Sequence, residues 1–376
     1  PDAMIHRDRT GRLLLEPVNT SSTLSACAGV PERVRQRIGA RVVKRVLALL
    51  LVAGLGVSAA FTLAVNTNAI DAMLKRADEV RSADPQAFRR LLGDIEQRAG
   101  QATAVQVEQL RYLQSYRMSL DGQFQQSIAA LRELASSATD LPTRFRAAAF
   151  LANNYAVTRD FAAGLDAMNQ ALALLPEISD TDIRHQGLLS AAILYNQAGQ
   201  YDLALRYAQT TLDESASGRS RCIAGIMRLE AQFFLDRLPT DDQVFKDETG
   251  GCDQHGEHLL AEFARGYHAR ALSNAGNHAD AITLLEQRVE AVEAMAYPRL
   301  TGEIMALLAS EHLALGHLDS ARRYADRVIA ASDGVEFSLP LVTAYRVLSQ
   351  VAERRGDYAS ALLHQRRLAE VDKAYL

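Results

Sequence analysis

The sequence predicts an all-α protein: an array of helix–turn–helix repeats with a period of about 40 residues, preceded by one N-terminal transmembrane helix or signal segment. Three observations predict it. A short turn module recurs along the chain, apolar residues at helical spacing flank each copy, and one uncharged apolar run lies after a basic leader.

The chain begins with residues 1–45, which carry nine Lys or Arg against four Asp or Glu, and whose first thirty residues show no helical periodicity. They read as a disordered, basic tail. Leu24-Ser25-Ala26-Cys27 has the look of an acylation box, but no apolar core precedes Cys27. The run Val46 to Val65 then holds twenty residues without a charge, long enough for a hydrocarbon core of about 30 Å. Arg33, Arg35, Arg37, Arg41, Lys44 and Arg45 precede it, so the positive-inside rule keeps the tail cytoplasmic and exports the chain beyond residue 65. Two readings remain for this run: a retained anchor, or a secretory signal cleaved near Ser58-Ala59-Ala60 or Thr67-Asn68-Ala69. Residues 66–106 are expected to form an N-terminal helical cap.

From residue 107 to 376 the turn module sets the pattern. Its clearest copies run Ala198 to Ala204, Ala275 to Ala281, Leu315 to Ala321 and Arg355 to Ala361; Gly276, Gly316 and Gly356 stand 40 residues apart. Looser copies centre on Gly122 with Phe124 and on Arg159 with Phe161. Leu188, Ala191, Ala192 and Tyr195 precede Gly199 at helical spacing, and Leu205, Tyr207, Ala208 and Leu212 come after it. Glycine takes φ > 0 at the turn without a Cβ penalty, and alanine lets two helices approach closely. One helix pair cannot bury its own apolar face, so neighbours must stack. The module is lost near residue 239, and an irregular insertion is expected around 214–256.

These residues carry a family resemblance. The set Tyr195, Gly199, Tyr201, Ala204 and the set Tyr345, Gly356, Tyr358, Ala361 resemble the tetratricopeptide repeat, with a period longer than the usual ~34. The resemblance implies a right-handed superhelical solenoid with a concave groove lined by the first helix of each pair. In register with the motif, Asn153 or Asn154, Asn196, Arg270 and Arg346 are the candidate groove residues. By the same resemblance they would hold the backbone or carboxylate of a protein or peptide partner.

A closer resemblance covers most of residues 70–376. Leu74–Asp78, Ser82–Gln86, Ala192–Tyr201, Gly218–Gly225, Tyr297–Leu300, Ser338–Tyr345 and Glu370–Leu376 look like the exported sensory half of bacterial membrane diguanylate cyclases. That resemblance implies an inner-membrane protein with residues 66–376 in the periplasm. It also implies a homodimer, and a cytoplasmic GGDEF domain after a stalk and a second membrane span. The alternative is a free-standing, membrane-anchored envelope scaffold that binds secretion or assembly proteins.

Cysteine and charge narrow the chemistry. Cys222 and Cys252 are the two cysteines of the exported part, and an oxidising compartment favours a structural disulfide between them. Cys252-Asp253-Gln254-His255-Gly256-Glu257-His258 has ligand types at metal-like intervals, but its one obvious fourth ligand is Cys222, which the disulfide would consume. No metal and no cofactor is therefore assigned. No nucleophile elbow, phosphate loop, dinucleotide fingerprint or zinc-protease motif occurs, so no catalytic residue is assigned and the chain is read as a non-enzyme. Beyond residue 45 the chain carries nine more acidic than basic residues, which argues against nucleic acid as partner.

Overall fold

The computed structural model describes residues 6–7, 13–14, 68–214, 218–332 and 338–375. The chain divides into two units, Pro1–Asn66 and Thr67–Leu376. In the first, His6–Arg7 pairs antiparallel with Leu13–Leu14, His6 opposite Leu14. The apolar run 46–65, its basic flank and Cys27 lie outside the described residues. Among the described residues no helix is long and apolar enough to cross a membrane.

In the second unit the helices pair in chain order. Helix α1 (68–80) is followed by α2 (Pro85–Glu96), and α3 (Ala104–Leu120) by α4 (Phe124–Ser137). Next come α5 (Leu141–Val157) with α6 (Phe161–Leu174) and α7 (Thr181–Gln197) with α8 (Tyr201–Asp213). After them stand α9 (Gly218–Phe234) with α10 (Asp242–Gln254), and α11 (His258–Asn274) with α12 (His278–Glu286) and the short α13 (Val289–Ala294). The described array ends with α14 (Pro298–Ala314) and α15 (Leu318–Ala331), then α16 (Leu339–Arg354) and α17 (Tyr358–Tyr375).

Local chemistry sets these boundaries. Aspartates at positions 84, 140, 160 and 180 accept from backbone N–H groups of the first turns of α2, α5, α6 and α7. Thr103 and Gln106 form a reciprocal capping box on α3. Pro85 and Pro298 begin α2 and α14, where a missing N–H costs nothing.

The turn inside each pair from α3 onward has one construction. Gly122, Arg159, Gly199, Asp236, Gly276, Gly316 and Gly356 all have φ between 55° and 79°. At each, that residue's N–H reaches the carbonyl three residues back and the next N–H reaches the carbonyl five back. Gly199 to Asn196 is 3.1 Å and Gln200 to Tyr195 is 2.8 Å; Asp236 to Phe233 is 3.1 Å and Arg237 to Gln232 is 2.7 Å. This is the Schellman closure, which satisfies carbonyls left over at a helix end. Five residues past the left-handed residue a small side chain lies buried against the partner helix in every pair but one: Ser127, Gly164, Ala204, Ala281, Ala321 and Ala361.

The expected irregular insertion is corrected by the structure. Residues 218–254 form a regular pair, α9 and α10, and the phase of the array is kept by Asp236 at φ 55°. The motif was invisible because an aspartate, which tolerates the left-handed region, replaces glycine. A longer loop also puts the cap Asp241, rather than a small core residue, five positions on. Cys222 and Cys252 are joined by a disulfide that ties α9 to α10, with Cα atoms 5.4 Å apart. The expected cap likewise includes a further pair: Ile70, Leu74 and Ala77 of α1 share one core with Phe88 and Leu92 of α2 and Leu110 and Leu113 of α3.

Neighbouring pairs approach closely where glycine allows it. A methyl group on Gly187 of α7 would overlap the ring of Phe145 on α5, which is fully buried, whereas one on Gly93 of α2 would meet nothing within 4 Å. Gly187→Ala is therefore expected to lower stability by about 1–3 kcal/mol through overpacking, and Gly93→Ala to raise it by roughly 0.5–1 kcal/mol through helix propensity. Urea unfolding of the two variants tests this. Equal midpoints would contradict the packing of α7 on α5.

Candidate functional site: the lumen of the array

The first helices of successive pairs, together with the α1–α2 corner, enclose a cavity of about 490 Å³. Its lining is set by the turns. Counted back from each left-handed residue, the lining side chains of the first helices fall mainly at offsets of 6, about 10, 13 and 17. Those steps trace one face of an α-helix. The innermost positions are Tyr116, Asn153, Ile193 and Glu230, six residues before Gly122, Arg159, Gly199 and Asp236. Thirteen before come Arg146, Gln186, Phe263 and Glu303, and seventeen before come Asp182, Arg219 and Arg299.

That register sorts the residues singled out in the sequence. Asn153, at offset 6, lines the lumen; its Nδ2 donates to Ser190 Oγ at 3.1 Å and its Oδ1 has no partner. Asn154, at offset 5, points elsewhere. It is 2% exposed between α3, α4 and α5, accepting from Ser119 Oγ at 2.7 Å and donating to Ser127 Oγ at 3.1 Å, so its expected groove role is corrected to a structural one. Asn196, at offset 3, is also buried, and its Nδ2 bonds Met227 O at 3.0 Å and Glu230 Oε2 at 3.2 Å. It sits behind the lumen wall rather than on it. Arg270 has the right offset but is turned into the wall: Nη2 donates to Glu303 Oε1 at 2.7 Å and the guanidinium lies 4.8 Å from the Phe233 ring centre. Arg346 is exposed on α16, past α14, the last helix that lines the cavity. Of these five residues Asn153 lines the cavity, Asn196 and Arg270 lie behind its wall, and Asn154 and Arg346 are away from it.

The lumen has two charged ends that residue type alone did not reveal. At one end Glu230 is 8% exposed and is held by the Asn196 and Gln197 amides. Burial pushes its carboxyl up to about 7; Arg299 and the Asn196 hydrogen bond oppose the rise and Glu303 adds to it. Tyr267 beside it is raised well above the ordinary phenol value, by burial first and by Glu230 and Glu303 next.

At the other end three guanidiniums meet the α1–α2 corner. Arg81 and Arg146 both donate to Asp78 Oδ1, and Arg219 Nη2 donates to the Asp78 carbonyl at 2.8 Å and also to the Glu79 carbonyl. Arg219 Nε pairs with Glu257 Oε1 at 3.2 Å, and Ser82 Oγ donates to Glu257 Oε2 at 2.7 Å. Residues 141 and 175 positions apart in sequence are thereby joined across the lumen. Aromatic faces complete the corner, with Arg146 4.1 Å from the Tyr112 ring centre and Arg81 5.1 Å from that of Tyr116.

The metal-like run at 252–258 does not assemble. Cys252 is in the disulfide, and His258 Nδ1 lies 2.9 Å from Asp253 Oδ1 on the outside of the pair. Among the described residues no three His, Cys, Asp or Glu side chains are grouped to hold a metal ion.

No protein-family model and no curated protein matches the chain. Solved structures do. A Rap protein complexed with competence and sporulation factor is similar at 14% identity with a TM-score of 0.55, over 82% of this chain and 99% of that one. A signal transduction ATPase with numerous domains and a tetratricopeptide repeat sensor, from Pyrococcus horikoshii, is similar at 14% identity with a TM-score of 0.56. That match covers 84% of this chain and 50% of the other, so this chain spans about half the length of that protein. From residue 68 on, the described fold is all-helical and tetratricopeptide-like.

Glu230 gives the fold a pH dependence of definite sign. Its folded pKa, about 7, exceeds the ordinary 4.5, so the folded state holds more protons between those values and stability falls as pH rises through that window. Glu230→Gln is expected to remove this component and to be more stable than the parent above pH 7, by up to about 3 kcal/mol, converging with it near pH 4.5. Chemical unfolding across pH 4.5–8 checks it; parallel curves for parent and variant would refute the buried, unpaired carboxyl.

Proposed function

We propose that this chain is a non-catalytic receiver module that binds a peptide or protein segment in its lumen. The carrying observation is the in-phase lining: the first helices of successive pairs turn polar and apolar side chains of matched offset toward one cavity. Its volume of about 490 Å³ falls within the ~300–1,000 Å³ typical of sites that enclose a small ligand. The unpartnered acceptor atom on Asn153 and the Glu230 carboxyl offer hydrogen bonds to backbone N–H groups or cationic groups. The similarity to a Rap protein complexed with competence and sporulation factor supports the reading.

The module is further proposed to be the periplasmic input of a bacterial inner-membrane diguanylate cyclase, anchored through residues 46–65 and working as a homodimer. Support comes from the basic flank of that run, from the segment resemblances, and from the disulfide, since disulfides persist in oxidising compartments. The alternative is an anchored envelope scaffold. Sequencing the coding DNA past the codon for Leu376 separates them: a heptad stalk, a second apolar span and a GGDEF motif are expected, and an immediate stop codon leaves the scaffold.

Binding itself is tested by screening the full chain against immobilised short peptides and repeating the screen with Ile193→Trp, which places an indole in the lumen. Retained peptides should bind the variant about tenfold or more weakly, with unchanged melting temperature. Undiminished binding would place the ligand elsewhere and overturn the reading.

A further inference from the structure

Three guanidiniums converge on a single residue at the corner of the lumen. Asp78 Oδ1 accepts from Arg81 and Arg146, and the Asp78 carbonyl accepts from Arg81 Nη1 at 3.3 Å and Arg219 Nη2 at 2.8 Å. Such a convergence is what an arginine cluster makes around a bound carboxylate or phosphate, because each fork donates along fixed directions.

Two carboxylates, Asp78 and Glu257, pair with these guanidiniums, Asp182 of α7 lines the same cavity, and the Glu79 carboxylate pairs with Arg76 at 3.2 Å. Arg81 is 5% exposed and its Nε has no partner. Burial first, then the neighbouring Arg219 and Arg146, lower its pKa to about 10. A guanidinium with a free buried donor, crowded by two others, is stabilised by a nearby negative charge.

The two carboxylates are held differently. Glu257 is 3% exposed and fixed by both Ser82 and Arg219. Asp78 has a side chain 26% exposed, stands in the last turns of α1 and faces the lumen. Of the two, Asp78 is the one that can leave.

Resting on the reading of the lumen as the binding site, we infer that Arg81, Arg146 and Arg219 form an oxyanion site whose resident occupant is Asp78, and that a carboxylate or phosphate group of the ligand replaces it. The incoming oxygens take the Arg81 and Arg146 donors that the Asp78 carboxylate gives up, and the Asp78–Arg146 ion pair between α1 and α5 is broken.

Calorimetric titration of the full chain with inorganic phosphate and with succinate, at constant ionic strength, tests this. The parent should bind at least one of them, Arg146→Gln should weaken that binding by roughly tenfold, and Asp78→Asn should tighten it by a similar factor, because an internal competitor has been removed. A preference for phosphate or for succinate identifies the ligand group. Arg146→Lys, which keeps the charge and loses the fork, should fall between parent and Gln and guards against misfolding of the Gln variant. No binding of either probe, equal binding by Arg146→Gln, or weaker binding by Asp78→Asn would each overturn the proposal. If peptides still depend on Ile193 while both probes fail, only the oxyanion site falls; if neither peptides nor probes bind, the lumen reading falls with it.

Discussion

The left-handed residue that closes each first helix is the constraint on which the rest of this structure depends. By directing one N–H to the carbonyl three back and the next to the carbonyl five back, it ends the helix at a fixed rotation. The second helix then leaves at a fixed angle, and a small residue five positions on lets it lie close. Because the rotation is the same at Gly122, Arg159, Gly199 and Asp236, residues at equal offsets fall on equal faces. The lumen is the result of that repetition, and its walls change chemistry without changing shape.

The lumen carries charged side chains within a largely apolar lining. Burying ions is costly unless each is paired and hydrogen-bonded, and a buried pair seldom adds stability beyond what apolar packing would give. Here the stability lies elsewhere, in the apolar layers between helices, such as Ala147, Ala148, Leu151 and Ala152 of α5. The charges are carried on the face those layers leave over. Glu230 shows the cost, because burial pushes its carboxyl up to about 7. An array that kept such groups without a use for them would gain from replacing them.

Much of the fold was legible in the sequence because turn and helix are local. Glycine with a downstream alanine marks Gly199, Gly276, Gly316 and Gly356 plainly, and spacing marks the helices. Asp236 was not legible, since a left-handed aspartate looks like any loop aspartate, and so a regular pair read as an insertion. The pairing of Cys222 with Cys252 had been expected from the compartment, and the structure places the two on adjacent helices. The lumen was legible only in part. Register with the turn motif points to Asn153 or Asn154 and to Asn196, and of these Asn153 has the lumen offset whereas Asn154 and Asn196 lie one and three positions out of phase. Applying the single offset of Asn153 to every pair would have found Glu230. The arginine corner could not be found that way, because Asp78 and Arg219, or Ser82 and Glu257, become neighbours only after the whole array has wound around.

That last contact gives the lumen a property a simple groove lacks. An open groove binds its ligand wherever its repeats happen to lie. In this chain the two sides are tied to each other through the α1–α2 corner, which makes charged and hydrogen-bonded contacts to α9 and the start of α11. Contacts of that kind exchange readily with a competing ion or donor, whereas an apolar seam would have to be exposed to water to open. A ligand that competes for the arginines therefore acts beside contacts that hold the end of α1 to the far side of the array. Binding and the position of α1 are then linked by necessity, each favouring or opposing the other by the same free energy.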